Sequence, residues 1–371
     1  MRRAASFFVH TVCVVLLAGC ASTGPKVTSH ELAQARDWLK TRAVLYQHEQ
    51  LRRINRIGYQ LVATIAEDPL DAAHQSKPLP PYPFAGWLVT ELKKDAASAY
   101  HLPPTLKGAL IAGVITKSPA DVAGLQAGDV LTRLNHQPIT SLRQLAAAIK
   151  RLAPGDEVEV AYQRQEETRT ASLRVDAVPR NIVFHMTTDE EVNAFAAPGG
   201  LITVTYGMMR FIHSDDELAV VLGHELAHVT RGHVAKNVGT SMAAGLFGGA
   251  LGGAIDIFVP GLGTLVGSRV SQAIQSQFSK DLEREADFVG LTYVSRAGFD
   301  VQAGWHIWER FSIEVPSTFA SRLLSTHPTS PERMIRLQKT AYALVHHLPL
   351  ETIDTADIPL ELDAPTPTHT E

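Results

Sequence analysis

Apolar and polar positions along the 371-residue chain change their period several times, and each change predicts an element. In residues 29–68, Leu51, Ile54, Ile57, Gly58, Leu61, Val62 and Ile65 share one helical face, which predicts a core helix pair. The run Lys77-Pro78-Leu79-Pro80-Pro81-Tyr82-Pro83 stops any helix and marks a domain boundary. Residues 84–178 then read as short strands and turns. Ser118-Pro119 starts a short helix that Gly124 ends, Gly128-Asp129 turns into the strand Val130–Leu134, and Asn135-His136 turns out of it. Ser141 caps a helix carrying Leu142, Leu145, Ile149 and Leu152, and Val158, Val160 and Tyr162 alternate along a further strand.

Beyond residue 181 the period mixes. A strand-like Ile182-Val183-Phe184-His185-Met186 precedes Asn193-Ala194-Phe195-Ala196-Ala197-Pro198-Gly199-Gly200 and the apolar residues 201–206. Proline and paired glycines are poorly tolerated in a central strand, so a hairpin beside an exposed sheet edge is expected. Ser214 and Glu217 then form an S-x-x-E capping box ahead of Leu218, Val221, Leu222 and Leu226, the buried stripe of a helix. Asp281-Leu282-Glu283-Arg284-Glu285-Ala286-Asp287 is strongly helical as well.

Chemistry enters with His224-Glu225-Leu226-Ala227-His228, in the middle of the first of these helices. Two imidazoles four residues apart lie about one turn apart on one face, so both can reach a single Zn2+, with the intervening glutamate placed as a general base for a water there. A lone histidine on such a face is usually a satisfied core residue, but two flanking an acid point to metal. His233, nine residues past His224, falls roughly half a rotation off that face and reads as structural. A catalytic zinc needs a third protein ligand and one open position. Glu283 and Asp287 share a face at i, i+4, so one can bind metal while the other accepts the N–H of a ligand histidine. Spacing alone leaves Glu283 and Glu285 in competition as ligand, and a solvated charge run is the plain alternative.

Composition narrows the class. With 45% hydrophobic and 19% charged residues the chain can bury one good core and a second small one, and it is not a disordered protein. The formal net charge is -4, and losing Arg2 and Arg3 with the first nineteen residues leaves 32 basic against 38 acidic residues, which argues against nucleic acid as partner. Arg2 and Arg3 precede the apolar residues 7–17, which end in Leu17-Ala18-Gly19-Cys20. This resembles a bacterial lipobox, implying a signal peptide over residues 1–19 and a lipid on Cys20, with a short anchor or unmodified signal as the alternative. Cys13 would leave with the signal, so the mature chain would have no disulfide. Ala21, in place of Asp, resembles lipoproteins sent to the outer membrane, so the expected location is lipid-anchored on the periplasmic face of the outer membrane of a Gram-negative bacterium. Residues 20–28 read as a linker and residues 350–371 as a disordered acidic tail.

The run Gly-Val-Ile-Thr-Lys-Ser-Pro-Ala-Asp-Val-Ala-Gly-Leu-Gln-Ala-Gly-Asp-Val from Gly113 closely resembles a bacterial PDZ domain. The resemblance implies a sandwich or barrel-like β domain over residues 84–178, with a groove between a strand and the Ser141 helix where an extended peptide adds as a strand. It puts the carboxylate-binding loop near Thr105 to Ala109, although Lys107-Gly108-Ala109-Leu110 departs from the usual Gly-Leu-Gly-Phe type. A PDZ fold that only positions or shields its neighbour is the alternative.

The order Asn-Ala-Phe-Ala-Ala-Pro-Gly-Gly, then the His224 motif, then Glu283-Arg284-Glu285-Ala286-Asp287, then Ser325-Thr326-His327-Pro328 resembles the HtpX and CaaX-prenyl-protease family of zinc metalloendopeptidases. The resemblance implies an α+β chain: a mainly helical zincin-type (gluzincin) peptidase of residues 29–77 and 179–345 with a small active-site sheet, interrupted by the PDZ domain. It implies one Zn2+ per chain on His224, His228 and Glu283, Glu225 as general base, and Asp287 as partner of a ligand histidine. Substrate backbone would lie along Asn193, Ala194, Phe195 and Ala196. His327 would stabilise the oxyanion or latch the open zinc position, with Arg333 assisting. Family members embedded in membranes carry additional spanning helices, so residues 239–270 read either as a membrane-dipping hairpin or, as Asp256, Pro260 and the glycine density favour, as close-packed short helices or a mobile loop.

The expected protein is therefore a membrane-anchored periplasmic zinc metalloendopeptidase cleaving misfolded or envelope polypeptides, its PDZ groove recruiting or gating them. A chaperone-like or scaffolding PDZ lipoprotein with a structural or latched zinc is the alternative from another class.

Overall fold

The computed structural model describes residues 25–65, 82–178, 182–197, 200–234, 278–315, 331–354 and 357–360. Its first element, α1 (Ser29–Thr64), is one 36-residue helix, not the pair that the periodicity predicts. Nothing in the segment breaks the ladder: it has no proline, and Thr28 and Glu31 cap its start reciprocally. Its one glycine, Gly58, sits where the Phe184 ring packs so closely that an added Cβ would lie 2.5 Å from it. Leu51, Ile54, Ile57, Leu61 and Val62 bury the C-terminal half of the helix.

The chain then leaves and re-enters this helical body through a two-stranded neck, β1 (Tyr82–Phe84) antiparallel to β8 (Asp176–Val178). Between them lie β2 (Trp87–Glu91), α2 (Lys94–Ala99), β3 (Ala109–Val114), α3 (Pro119–Val122), β4 (Val130–Leu134), β5 (Gln137–Pro138), α4 (Leu142–Ile149), β6 (Glu157–Arg164) and β7 (Glu167–Arg174). The strands form a single six-stranded sheet in the order β2-β3-β4-β6-β7, with β5 on β4, bent at bulges near Leu88/Val89 and Leu131/Arg133. Ser118 and Ser141 cap α3 and α4, as the sequence predicts. The sheet edge beside α4 is β2, whereas β3 is paired on both sides. The turn opening onto a free strand thus falls at residues 84–86, and Thr105 to Ala109 leads into an interior strand instead.

Trp87, Ile111, Leu131, Leu145 and Val160 give this insert its own core. It also leans on α1, where His48 Nδ1 lies 2.9 Å from the Tyr100 hydroxyl. Burial pushes His48 down to about 4 and Tyr100 up to about 12.

The second part of the chain is α+β. Strands β9 (Val183–Thr187), β10 (Ala194–Ala197) and β11 (Leu201–Thr205) form a three-stranded sheet in the order β10-β11-β9; β10 and β11 are the expected hairpin, and β11 runs parallel to β9. Helices α5 (Tyr206–Phe211), α6 (Asp215–Thr230), α7 (Lys280–Arg296), α8 (Ala303–Glu314) and α9 (Pro331–Val345) complete it. One core joins α1, the sheet and these helices through residues such as Ile57, Phe184, Ile202, Leu222 and Tyr293. Leu350–Thr352 makes a single 3-10 turn at the start of the segment expected to be a tail. Among the described residues no helix is long and apolar enough to cross a membrane. Cys20 and residues 239–270 lie outside the described residues.

Candidate metal centre

Helix α6 starts where the sequence says. Ser214 Oγ accepts the Glu217 N–H at 3.1 Å, but the returning half of the capping box is displaced by one residue: Glu217 Oε2 accepts from the His213 N–H at 2.7 Å and is held by Arg310. The helix is buried almost all round, and it packs on α7 through two glycines. A Cβ on Gly290 would stand 2.8 Å from the His224 nitrogen, and one on Gly223 would stand 2.9 Å from the Gly290 carbonyl oxygen. Real side chains do not fit there. The two backbones can touch only because both positions are glycine, and that contact sets Glu283 and Asp287 of α7 against His224 and His228 of α6.

The result is a buried triad. His224 Nε2 lies 3.1 Å from His228 Nε2 and 3.4 Å from Glu283 Oε2, and His228 Nε2 lies 3.3 Å from Glu283 Oε1. His224, His228 and Glu283 are the group among the described residues whose donor atoms could hold one metal ion. A tetrahedral ion with bonds of about 2.1 Å needs ligand atoms about 3.4 Å apart, and two nitrogens with one carboxylate are a zinc-type donor set. The side chains present therefore fit the ion. Spacing left Glu283 and Glu285 equal; the structure places Glu283 on the two Nε2 atoms and turns Glu285 away.

Each ligand candidate is braced from behind. Asp287 Oδ1 lies 2.9 Å from His224 Nδ1 and accepts its N–H, as the i, i+4 spacing suggests. Arg333 of α9 grips Asp287 with Nε at 2.6 Å and Nη2 at 2.7 Å, reaches Glu283 Oε2 at 3.1 Å, and stacks its guanidinium 3.6 Å over the Trp308 ring. It braces two carboxylates. Burial works to raise the Asp287 carboxyl, but the Arg333 charge and the His224 hydrogen bond hold it below the usual carboxylate range. Burial likewise opposes a charge on His224, yet Glu283 and Asp287 outweigh it and push this ring up to about 9.

His233 belongs to this scaffold, which helical rotation from His224 does not reveal. Helix α6 ends at Thr230, and the chain turns through Gly232 at φ +68°, bringing His233 Nδ1 back to within 3.1 Å of His228 Nδ1. With His228 Nε2 facing the triad, its Nδ1–H donates to His233 Nδ1, and the His233 Nε2–H donates to Glu285 Oε2 at 3.2 Å. The Phe278 ring stacks 3.9 Å from His228 and closes that side.

Glu225 is buried beside a small apolar recess that it shares with Ala194, Met208, Val220, Val221, His224, Trp308 and Phe311. Strand β10 runs along α6 as the outer strand of its sheet, so Ala194 faces this recess. Its four residues are buried, in contrast to the exposed edge the sequence predicts. Asn193 is fixed just ahead of the strand, its backbone N–H donating to Thr205 Oγ1 at 3.0 Å and its carbonyl accepting from the same hydroxyl at 2.8 Å. Phe195 and Ala196 follow it in β10. His327 and Pro198-Gly199 lie outside the described residues.

Comparison with known proteins finds two families in the chain. Residues 160–341 match the family model described as peptidase family M48, and residues 84–175 match the PDZ domain model. The chain is similar to mitochondrial metalloendopeptidase OMA1 of Schizosaccharomyces pombe, 31% identical over 42% of this chain and 45% of that one. It is 31% identical to the beta-barrel assembly-enhancing protease of Yersinia pestis over 44% of this chain and 35% of the relative, and 27% identical to that of Escherichia coli over 63% and 50%. The matches thus span between about a third and a half of the length of these relatives.

Proposed function

We propose that this chain, whose residues 160–341 match the peptidase family M48 model and whose residues 84–175 match the PDZ domain model, is a zinc-dependent metalloendopeptidase of the bacterial envelope. The observation that carries this reading is the convergence of His224 Nε2, His228 Nε2 and a Glu283 oxygen at 3.1 to 3.4 Å, with Glu225 of the same helix turned to the adjoining recess.

His224, His228 and Glu283 would hold the zinc, which when bound supplies Lewis acidity for the attacking water and the scissile carbonyl. Glu225 takes one proton from that water as its oxygen bonds to the carbonyl carbon. It then returns the proton to the amide nitrogen as the C–N bond breaks, and the second water proton leaves the new carboxyl group to solvent or to the amine, so the products are a carboxylate and an amine with no acyl-enzyme. Asp287 and Arg333 keep the His224 ring oriented, and His233 with Glu285 does the same for His228. The substrate is an extended polypeptide lying along β10, with Asn193, Ala194, Phe195 and Ala196 as the backbone-holding edge. His327 is a further candidate for stabilising the oxyanion or latching the site.

Strand β2 is a sheet edge beside helix α4, and there the PDZ domain would take a peptide as an added strand, recruiting or gating substrate. The similarity to beta-barrel assembly-enhancing proteases supports misfolded or stalled envelope proteins as the substrate class. The lipobox-like Leu17-Ala18-Gly19-Cys20 supports a periplasmic protein anchored to the outer membrane by a lipid on Cys20. The test is Glu225→Gln in the full chain, assayed on an unfolded protein. The variant keeps its zinc and cleaves at least about 100-fold more slowly than wild type, the range that a lost general base produces. Cleavage at the wild-type rate would overturn the assignment.

A further inference from the structure

Six of the nine large hydrophobic side chains that stand exposed among the described residues occur within one stretch of twenty: Val27, Leu32, Trp38, Leu39, Leu45 and Tyr46. All but Val27 are on the N-terminal half of α1, ahead of the buried stretch that starts at His48; at the end of this half Val44 packs beside Leu110 and Val130, and the half-exposed Tyr46 ring stands edge-on 6.1 Å from Tyr206. Leu32, Leu39 and Tyr46 repeat at intervals of seven, and Trp38 and Leu45 form a second line beside them, so the five share one arc of the helix. Arg36 and Lys40 lie off this arc. Arg42 and, in the first turn, Glu31 lie within it, and the Arg42 guanidinium sits 5.1 Å over the Trp38 ring.

A second copy of the chain suits this face poorly. A helix zipper on Leu32, Leu39 and Tyr46 would need large apolar residues at positions 35 and 42, where the sequence has alanine and arginine, and the stripe lasts about two heptads, short of the three or four that define a coiled coil. A lipid surface asks for no such register. It favours tryptophan and tyrosine at the headgroup level with arginine and lysine beside them. The chain length agrees. Eight residues separate Cys20 from Ser29, nine Cα–Cα steps that reach at most about 30 Å, and residues 29–46 as helix are about 27 Å long. A lipid at Cys20 therefore holds this arc within one helix length of the bilayer.

We propose that the exposed arc of residues 27–46 is an interfacial docking face that lies on the headgroup layer of the membrane carrying the Cys20 lipid, giving the chain a second attachment and fixing the peptidase body against the surface. This rests on the lipobox reading of Cys20 and not on the activity of the metal centre.

Fluorescence of the full mature chain with Cys20→Ser tests it, because the other three tryptophans, Trp87, Trp305 and Trp308, are buried and Trp38 is 58% exposed. Vesicles of phosphatidylethanolamine with phosphatidylglycerol shift the emission to shorter wavelength and protect it from acrylamide; a phosphatidylcholine arm separates the part due to anionic headgroups. Leu39→Ser with Leu45→Ser weakens vesicle flotation at least about tenfold while the melting temperature and proteolysis of a soluble substrate stay as in wild type. Protection of Trp38 before any lipid is added, with a dimer by light scattering or with a monomer in which another part of the chain covers it, overturns the proposal. So does an emission unmoved by vesicles.

Discussion

The contact between Gly223 and Gly290 makes a prediction that runs against helix propensity. Replacing Gly290 by Ala removes the residue with the highest conformational cost from the middle of α7, and on propensity alone the variant should be more stable by about 1 kcal/mol. The structure says otherwise. The new methyl would stand 2.8 Å from the His224 nitrogen and 2.9 Å from the Gly223 carbonyl carbon, where carbon contacts settle at about 3.5 Å or more. The helices must separate by roughly 0.7 Å, and overpacking of this kind costs about 1–3 kcal/mol, so the two effects leave a net loss of at most about 2 kcal/mol. The metal site is far less tolerant. Moving α7 carries Glu283 away from both rings, stretching separations of 3.3 and 3.4 Å toward 4 Å, when a workable zinc site allows about 0.2 Å per ligand. Zinc affinity measured by chelator competition should fall at least about 100-fold while thermal unfolding of the metal-free protein moves little. A Gly290→Ala protein that melts higher and binds zinc as tightly as wild type would refute the argument that this helix contact builds the site.

Three further outcomes follow from side chains around the centre and the domain junction. His233→Ala should weaken zinc binding by about 10- to 100-fold, and His233→Gln, which can still accept from His228, should recover part of the loss; equal affinity in all three forms, by the same competition, would remove His233 from the site. Arg333→Met leaves Asp287 and Glu283 buried without their cation and should cost about 3–5 kcal/mol in urea unfolding, against well under 1 kcal/mol if the pair were solvated. His48 has a folded value near 4, below its ordinary 6.5, so the folded chain takes up fewer protons than the unfolded one; the stability His48 leaves intact above about pH 6.5 should be lost progressively toward pH 4, by roughly 2–3 kcal/mol, with a flatter slope in His48→Gln.

Local chemistry was legible in the sequence and contacts between distant segments were not. The two imidazoles around Glu225, the Ser214 start of α6, the hairpin of β10 and β11, and the i, i+4 face shared by Glu283 and Asp287 all follow from periods and caps that extend over a few residues. The selection of Glu283 over Glu285 does not, because it depends on which face of α7 the Gly290 contact turns inward. His233 was misplaced by continuing a helical wheel past Thr230; Gly232, with its left-handed backbone, is the signal that the helix has stopped and that rotation no longer applies. The PDZ loop was displaced for a related reason: the edge strand is set by pairing partners drawn from residues 109–174, and a run such as Lys107-Gly108-Ala109-Leu110 reads the same at an edge or inside a sheet. Likewise the helical period of residues 29–64 shows no joint because there is none, yet periodicity cannot distinguish one long helix from two collinear ones.

The central claim is that two imidazoles of α6 and one carboxylate of α7 hold a single zinc. Elemental analysis of the folded full chain, purified without chelators, tests it most directly alongside His224→Ala and Glu283→Ala. The account predicts one zinc per wild-type chain and loss of it from both variants at unchanged fold. Folded wild-type protein that takes up no zinc, or variants that retain a full equivalent, would contradict it.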